Sequence, residues 1–157
     1  VRYENGHNGR PVCIRPCGLA ARHHWRLEMC SPLNRSALPP AHNPLEAGLG
    51  FFGDLTKSIF TGREKLQRVK EDGLARQLVA FKMKDKSPPP RPHYRVFRDG
   101  AEAGEVTSGT LSPSLNQGIG MAYLATPVPK PGEEIEIEIR GQKFPAVIEK
   151  NPLYKKS

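Results

Sequence analysis

Cys13, Cys17, His23, His24 and Cys30, side chains that could hold a metal or make a nucleophile, lie close together near the start of the chain. Thiolate and imidazole both suit zinc. The spacing is Cys-x3-Cys, then His-His, then a single Cys, which lacks the two close pairs of a structural zinc site. The simpler reading makes Cys30 a small core residue and the others loop positions, so no metal is expected. A thiol activated by a neighbouring imidazole needs a third group to orient the pair, and the sequence shows none. Three clustered cysteines make no disulfide framework for the chain, so a reducing cytoplasm is the default expectation.

A second chemical cluster is basic and aromatic. Lys84, Lys86, Arg91, Arg95 and Arg98 alternate with His93, Tyr94 and Phe97. Single-stranded nucleic acid binders use that mixture, with charges along phosphates and rings against bases. A solvated loop followed by a strand with one buried face explains the same residues more simply, and is preferred. Pro88-Pro89-Pro90-Arg91-Pro92 reads as a rigid connection between strands rather than a polyproline ligand. Glu134, Glu136 and Glu138 share one strand face and read as a charged exterior that discourages edge pairing. No Walker-type phosphate loop, His-Glu-x-x-His or Gly-x-Ser-x-Gly is present, and Gly48-Leu49-Gly50 does not open a helix.

The chain that must position these groups has 157 residues, 37% of them apolar, which suits one domain or a small one plus part of another. A large multidomain enzyme is excluded. Lys and Arg number 24 against 16 Asp and Glu, a net charge of +8, which favours anionic partners without choosing among them. No apolar run reaches about 18 residues, so no membrane partner is expected. No secretory signal is visible, and the start at Val1 suggests a fragment or processed product. Sixteen prolines favour short strands and many turns over long helices.

Residues 1–17 have no periodicity and read as a linker or the tail of an upstream element. Residues 18–30 read as a helix with two apolar stripes, one through Leu19, His23, Leu27 and Cys30 and one through Ala21, Trp25 and Met29. Burial on most sides is expected, with Arg22 and Arg26 on the remaining face and Pro32 marking the end. Residues 31–44 are loop-like, and 46–55 suggest a short strand. Residues 61–72 suggest a helix with Thr61 as N-cap, Glu64 completing a capping box, Leu66 and Val69 facing inward and Gly73 as the stop.

Strands follow: 76–84, then 94–98, an Asp99-Gly100 hairpin turn, 104–109, a turn at 112–117, and 118–124. Ile135, Ile137 and Ile139 alternate with glutamates, the period of a half-buried strand. With a Gly141-Gln142 turn, Ile139 faces Phe144, Ile137 faces Ala146 and Ile135 faces Ile148. Pro145, on the outer face without an N–H, suggests an edge or bulge. Strands this close together leave no room for crossover helices.

Four segments resemble the aminomethyltransferase family, the glycine cleavage system T-protein. Gly18-Leu-Ala-Ala-Arg-His-His-Trp-Arg-Leu-Glu28 resembles its Gly-Leu-Gly-Ala-Arg-Asp-Ser-Leu-Arg-Leu-Glu helix. Asn43-Pro-Leu-Glu-Ala-Gly-Leu-Gly-Phe51 is similar to Thr-Pro-x-Glu-Ala-Gly-Leu-x-Trp. Val106-Thr-Ser-Gly-Thr-Leu-Ser-Pro-Ser-Leu115, with Ile119 and Tyr123, is similar to the barrel signature, and Pro152-Leu-Tyr-Lys155 to the Pro-Phe-Tyr-Lys terminus. The resemblance runs in order over residues 15–157.

The resemblance implies an α+β fold: a C-terminal antiparallel β-barrel, Greek-key or jelly-roll-like, preceded by a partial α+β folate-binding region. The expected division is 1–17, the tail of an upstream region; 18–73, the end of the folate-binding domain; and 74–157, the barrel domain. It also implies a protein of about twice this length or more, with an N-terminal half holding the carboxylate that assists catalysis and the glutamate that grips the pterin.

The implied activity takes a lipoyl-bound aminomethyl group from the H-protein, releases ammonia and gives the one-carbon unit to tetrahydrofolate. The chain by itself is expected to be inactive, with no catalytic residue of its own. By resemblance, Arg22 contacts folate as a planar charged donor, Tyr154 lines the same site, and Phe51 stands where the family has tryptophan, walling the pocket or filling the core. His23 and His24 replace an Asp-Ser pair, and an imidazole does not accept from arginines as a carboxylate does. The expected location is the cytoplasm, or the mitochondrial matrix in a eukaryote. The alternatives are a non-catalytic folate-binding relative and a basic barrel that binds single-stranded nucleic acid.

Overall fold

The computed structural model describes residues 18–39, 42–57, 59–84 and 86–155. The linker reading of 1–17, with Cys13 and Cys17, lies outside them. Six strands form one closed antiparallel barrel: β1 (Arg76–Met83), β2 (Arg95–Arg98), β3 (Ala101–Ser112), β4 (Gln117–Ala125), β5 (Glu134–Ile139) and β6 (Gln142–Glu149). Their order around the barrel is β1-β4-β3-β2-β5-β6. Strands β2, β3 and β4 follow one another through tight turns while β1 pairs beside β4, a Greek-key connection. The α+β expectation and the barrel both hold.

The barrel interior is apolar. Phe81, Met83, Val96, Val106, Leu124 and the three isoleucines of β5 are its largest buried side chains, and Ala122, Ala146 and Ile148 complete it. Strands β1 and β4 are buried on their other face as well. Leu78 and Ala80 from β1, with Ile119, Met121 and Tyr123 from β4, pack under Leu27, Cys30, Ala37, Ala47 and Leu153. Two covered faces explain why Gln117–Ala125 is apolar almost throughout instead of alternating.

The hairpin turns follow backbone chemistry. Asp99 and Gly100 both have positive φ, 51° and 82°, as a two-residue hairpin turn requires. The last hairpin turns at Arg140-Gly141, with φ of 53° and 80°, and not at Gly141-Gln142. Ile139 therefore faces Gln142, Ile137 faces Phe144 and Ile135 faces Ala146. The difference is two positions on the partner strand, so every side chain keeps its face.

Pro145 is at neither an edge nor a bulge, because β6 also pairs with β1. Its carbonyl accepts from the Lys84 amide at 2.9 Å. With no N–H to donate in return, it ends that ladder. The proline-rich loop is part of the packing: Pro90 is fully buried. A Cβ on Gly109 of β3 would lie 2.6 Å from the Pro90 carbonyl oxygen.

Three other expectations are corrected. Helix α1 (Gly18–Glu28) buries only Leu27 and Glu28, while Leu19, Trp25 and Met29 are exposed. Only its last turn is clamped to the barrel. It ends two residues before a left-handed Cys30 (φ 55°), with Cys30 N–H donating to the Leu27 carbonyl and Ser31 N–H to the Arg26 carbonyl, a Schellman closure with cysteine where glycine is usual.

Residues 46–55 form no strand. Asn43 and Glu46 cap a helical turn reciprocally: the Glu46 amide donates to Asn43 Oδ1 at 2.9 Å and the Asn43 amide to Glu46 Oε2 at 3.3 Å. Helix α2 (Arg63–Asp72) starts from Gly62 in the left-handed region with no side-chain cap, so Thr61 does not cap it. None of its residues is buried, and Leu66 and Val69 are only half-covered.

Candidate functional site

Two of the three candidate ligand contacts, Arg22 and Tyr154, belong to segments that meet at the end of α1. Glu28, its last residue, is 4% exposed, a costly place for a carboxylate unless it is bonded. The Ser112 hydroxyl, at the end of β3, donates to Glu28 Oε1 at 2.5 Å and in turn accepts from the Leu115 amide at 3.1 Å. The Glu28 carbonyl accepts from the Tyr154 amide at 3.1 Å. One residue thus ties helix, barrel and C-terminal tail together. Leu153, packed in the outer core, fixes the tail beside it. The sequence signal for Glu28 was a carboxylate in a helix's last turn, where the helix dipole disfavours it without a donor.

Arg22 sits six residues before Glu28, about 9 Å up the helix axis. It is exposed and makes no hydrogen bond or ion pair among the described residues, so its guanidinium is available. The Tyr154 side chain is 37% exposed. Backbone contact through Glu28 joins these two residues' elements in one corner. Phe51 is 93% exposed and meets Phe52 edge to face at 5.6 Å, so it does not fill the core. No hydrogen bond or ring contact among the described residues links it to Arg22 or Tyr154.

Of the two histidines, His23 takes part in a contact with an arginine. His23 Nδ1 accepts from Arg26 Nη2 at 3.2 Å, so imidazole does orient an arginine here. Burial, then the Arg26 charge, holds His23 below its usual pKa, which keeps that nitrogen free to accept. Arg26 Nη1 also donates to the Ser31 carbonyl at 2.7 Å, satisfying the helix end. Cys30 is buried, and burial pushes its thiol pKa up, away from the reactive thiolate. Among the described residues no group of three or more His, Cys, Asp or Glu could hold a metal.

Part of the basic-aromatic run is committed to structure. Lys84 pairs with Glu134, and Arg98 with Glu133 at 3.1 Å; His93 meets Glu105 at 2.6 Å. Tyr94 packs against the barrel core, and the Phe97 ring is covered by Lys143 at 4.1 Å. A cleft of about 760 Å³, lined by Arg35, Ser36, Pro39 and His42 on one side, opens against strands β3 and β4, and Arg22, Phe51 and Tyr154 do not line it.

A closed six-stranded Greek-key barrel, with a helix and a capped turn laid over its outer face, defines the class. The family described as the glycine cleavage T-protein C-terminal barrel domain matches residues 76–155, about half of the chain, and the chain belongs to that family. It is 45% identical over 145 residues to the aminomethyltransferase of Geobacillus thermodenitrificans, covering 92% of this chain and 40% of that protein. It is 44% identical over 151 residues to the aminomethyltransferase of Phocaeicola vulgatus, covering 94% and 41%. The crystal structure of the glycine cleavage system aminomethyltransferase T from Bartonella henselae is similar, with a TM-score of 0.81 and 28% identity over 87% of this chain and 39% of that one. The chain spans about two fifths of the length of the curated relatives it matches. Among the described residues no helix is long and apolar enough to cross a membrane.

Proposed function

We propose that this chain is the C-terminal portion of a tetrahydrofolate-dependent aminomethyltransferase and works with the portion that its longer relatives also carry. In this reading residues 18–73 close the folate-binding region and 74–157 form the barrel that holds it. Arg22 gives tetrahydrofolate a planar cationic donor, suited to a carboxylate or ring carbonyl. Tyr154 and Phe51 give it aromatic surface. The lipoylated H-protein delivers the aminomethyl group, ammonia leaves, and the one-carbon unit passes to tetrahydrofolate. The cytoplasm, or the mitochondrial matrix in a eukaryote, is the location that fits this chemistry.

The observation that supports this most is the Glu28 clamp. It holds the helix bearing a free Arg22 against the tail bearing Tyr154, the two segments that resemble the family's folate contacts. The Glu28 carboxylate accepts from the Ser112 hydroxyl, the bond that closes the clamp. The test mixes the chain with the N-terminal portion of a relative and measures tetrahydrofolate-dependent ammonia release from aminomethylated H-protein. Activity only in the mixture is expected. Tetrahydrofolate binding to the mixture without turnover would favour the non-catalytic folate-binding relative.

A further inference from the structure

Helix α1 leads into two apolar stripes, and the barrel uses only one of them. Leu27 and Cys30 are buried with the outward residues of β1 and β4. Gly18, Arg22, Trp25 and Met29, at intervals of four, three and four residues, are all exposed and form one outward stripe. The Met29 amide donates to the Trp25 carbonyl at 3.1 Å, so helical spacing holds through the last pair and sets those side chains one turn apart.

The outward stripe of a surface helix is normally polar. Here Trp25 is 66% exposed and Met29 56%. The indole meets no other ring, and its N–H has no acceptor among the described residues. A tryptophan side chain can bury about 250 Å², and a contiguous apolar patch of a few hundred Å² marks an interaction surface. Among the described residues, every exposed large apolar side chain except Leu111 and Tyr154 lies between residues 19 and 59, outside the barrel. Uncovered apolar surface therefore belongs to the outer layer, and on α1 the helix makes it continuous.

The anchorage of α1 points the same way. Its last turn is held by Leu27 and by the Glu28 bond to Ser112, whereas Gly18, Leu19 and Ala20 at its start are exposed. A helix of 11 residues is marginal by itself in water, so a second packed face would complete its support. The relatives carry a body that could supply it. They match over 92% and 94% of this chain, a stretch that takes in α1, yet the match covers only 40% and 41% of their own length.

We propose that the outward stripe of α1, anchored by Trp25 and Met29, is a docking face for an apolar surface of the N-terminal portion of such an aminomethyltransferase. The proposal rests on the reading that this chain works with that portion, and adds where the two meet. Arg22, one turn before Trp25, stands at the rim of the contact. The competing occupants are a second copy of this chain and its own residues 1–17.

Trp25 is the only tryptophan of the chain, so 5-fluorotryptophan labels one site. The labelled full chain is titrated, without tetrahydrofolate, with the unlabelled N-terminal portion of the Geobacillus thermodenitrificans aminomethyltransferase, and followed by fluorine NMR and sedimentation. In the chain alone, a monomer, the resonance should differ between H2O and D2O, as a solvated ring does. On association it should move and lose that difference. Trp25→Gln should weaken association about thirtyfold or more and Met29→Gln about fivefold or more, whereas Leu111→Gln, an exposed apolar site on β3, should change it by less than about twofold. All three sites are exposed, so unchanged melting curves of the chain alone will show that the variants fold. A single polypeptide with that N-terminal portion ahead of this chain makes the test independent of whether the portion folds separately. There Trp25→Gln should lower the melting temperature by about 3 °C or more.

Association that leaves Trp25 solvated, or no association together with a fused polypeptide indifferent to Trp25→Gln, would overturn the proposal. Turnover by a mixture in which Trp25 stays solvated would do so while leaving the aminomethyltransferase reading in place. Association that buries Trp25 without tetrahydrofolate-dependent turnover would uphold the docking face and count against that reading. Protection of Trp25 in the chain alone would assign the stripe to a second copy if the chain is a dimer, or to residues 1–17 if it is a monomer, and overturn the proposal in either case.

Discussion

Ser112→Ala is the sharpest perturbation of the clamp at the end of α1. The Ser112 side chain is fully buried and Glu28 is 4% exposed, so water does not readily replace a lost hydroxyl. The substitution removes the 2.5 Å bond to the carboxylate and the 3.1 Å bond from the Leu115 amide. A hydrogen bond to a charged group contributes about 1.5–3 kcal/mol, and a neutral one about 1 kcal/mol. The variant should lose about 2–4 kcal/mol.

Urea unfolding at neutral pH reads that loss as a midpoint lower by about 1–2 M, for a slope near 2 kcal/mol/M. In a Glu28→Gln background the amide oxygen still accepts but no charge is present, so the same Ser112→Ala change should cost about 1–2 kcal/mol less. Hydrogen exchange at the Tyr154 amide, which bonds the Glu28 carbonyl, should accelerate more than exchange in the barrel strands. A loss below about 0.5 kcal/mol in both backgrounds would refute the clamp.

Other substitutions probe the barrel and its surface. Gly109→Ala drives a methyl to 2.6 Å from the Pro90 oxygen and 2.8 Å from its Cγ; it should cost about 2–3 kcal/mol by denaturant titration. Gly141→Ala, at φ 80°, should cost about 1 kcal/mol, measured as a fall in melting temperature. His42 is held below its ordinary pKa of 6.5 by burial and then by Arg76, against a smaller opposing pull from Glu46. The unfolded chain then takes up the proton more readily than the folded one. Stability present above pH 6.5 should fall as pH drops through 6.5 toward the folded value. His23 adds to this in the same direction, so His42→Gln should flatten the decline between pH 7 and pH 5 without abolishing it.

The barrel was legible because its signals are local. Asp99-Gly100 dictates a positive-φ turn, and the Ile-Glu alternation of β5 states which face is buried. The two-position register difference in the last hairpin was not legible, since Arg140 and Gln142 are both plausible beside Gly141 and either choice keeps the faces. The outer layer was harder still. Burial of α1 was overread because Trp25, Met29 and Leu19 look like core, yet of the apolar residues in 18–30 only Leu27 and Cys30 are buried against the barrel. Asn43-Pro-Leu-Glu46 contains a reciprocal cap with proline at the first helical position, a signal that was there to be read as a turn. Arg22 and Tyr154 stood out only by resemblance. The Glu28–Ser112 and Ala37–Tyr123 bonds join residues 84 or more positions apart, which no periodicity reveals.

The central claim is that α1 presents Arg22 to tetrahydrofolate once the remaining portion of such an enzyme is supplied. The direct measurement is tetrahydrofolate-dependent ammonia release by an equimolar mixture of this chain and the N-terminal portion of the Geobacillus thermodenitrificans aminomethyltransferase, with the wild-type chain and with Arg22→Gln. Turnover with the wild-type chain, and a rise of about tenfold or more in the tetrahydrofolate KM with Arg22→Gln, is the predicted result. A stable, active mixture whose KM is unchanged by Arg22→Gln, or a stable mixture with neither turnover nor tetrahydrofolate binding, would contradict it.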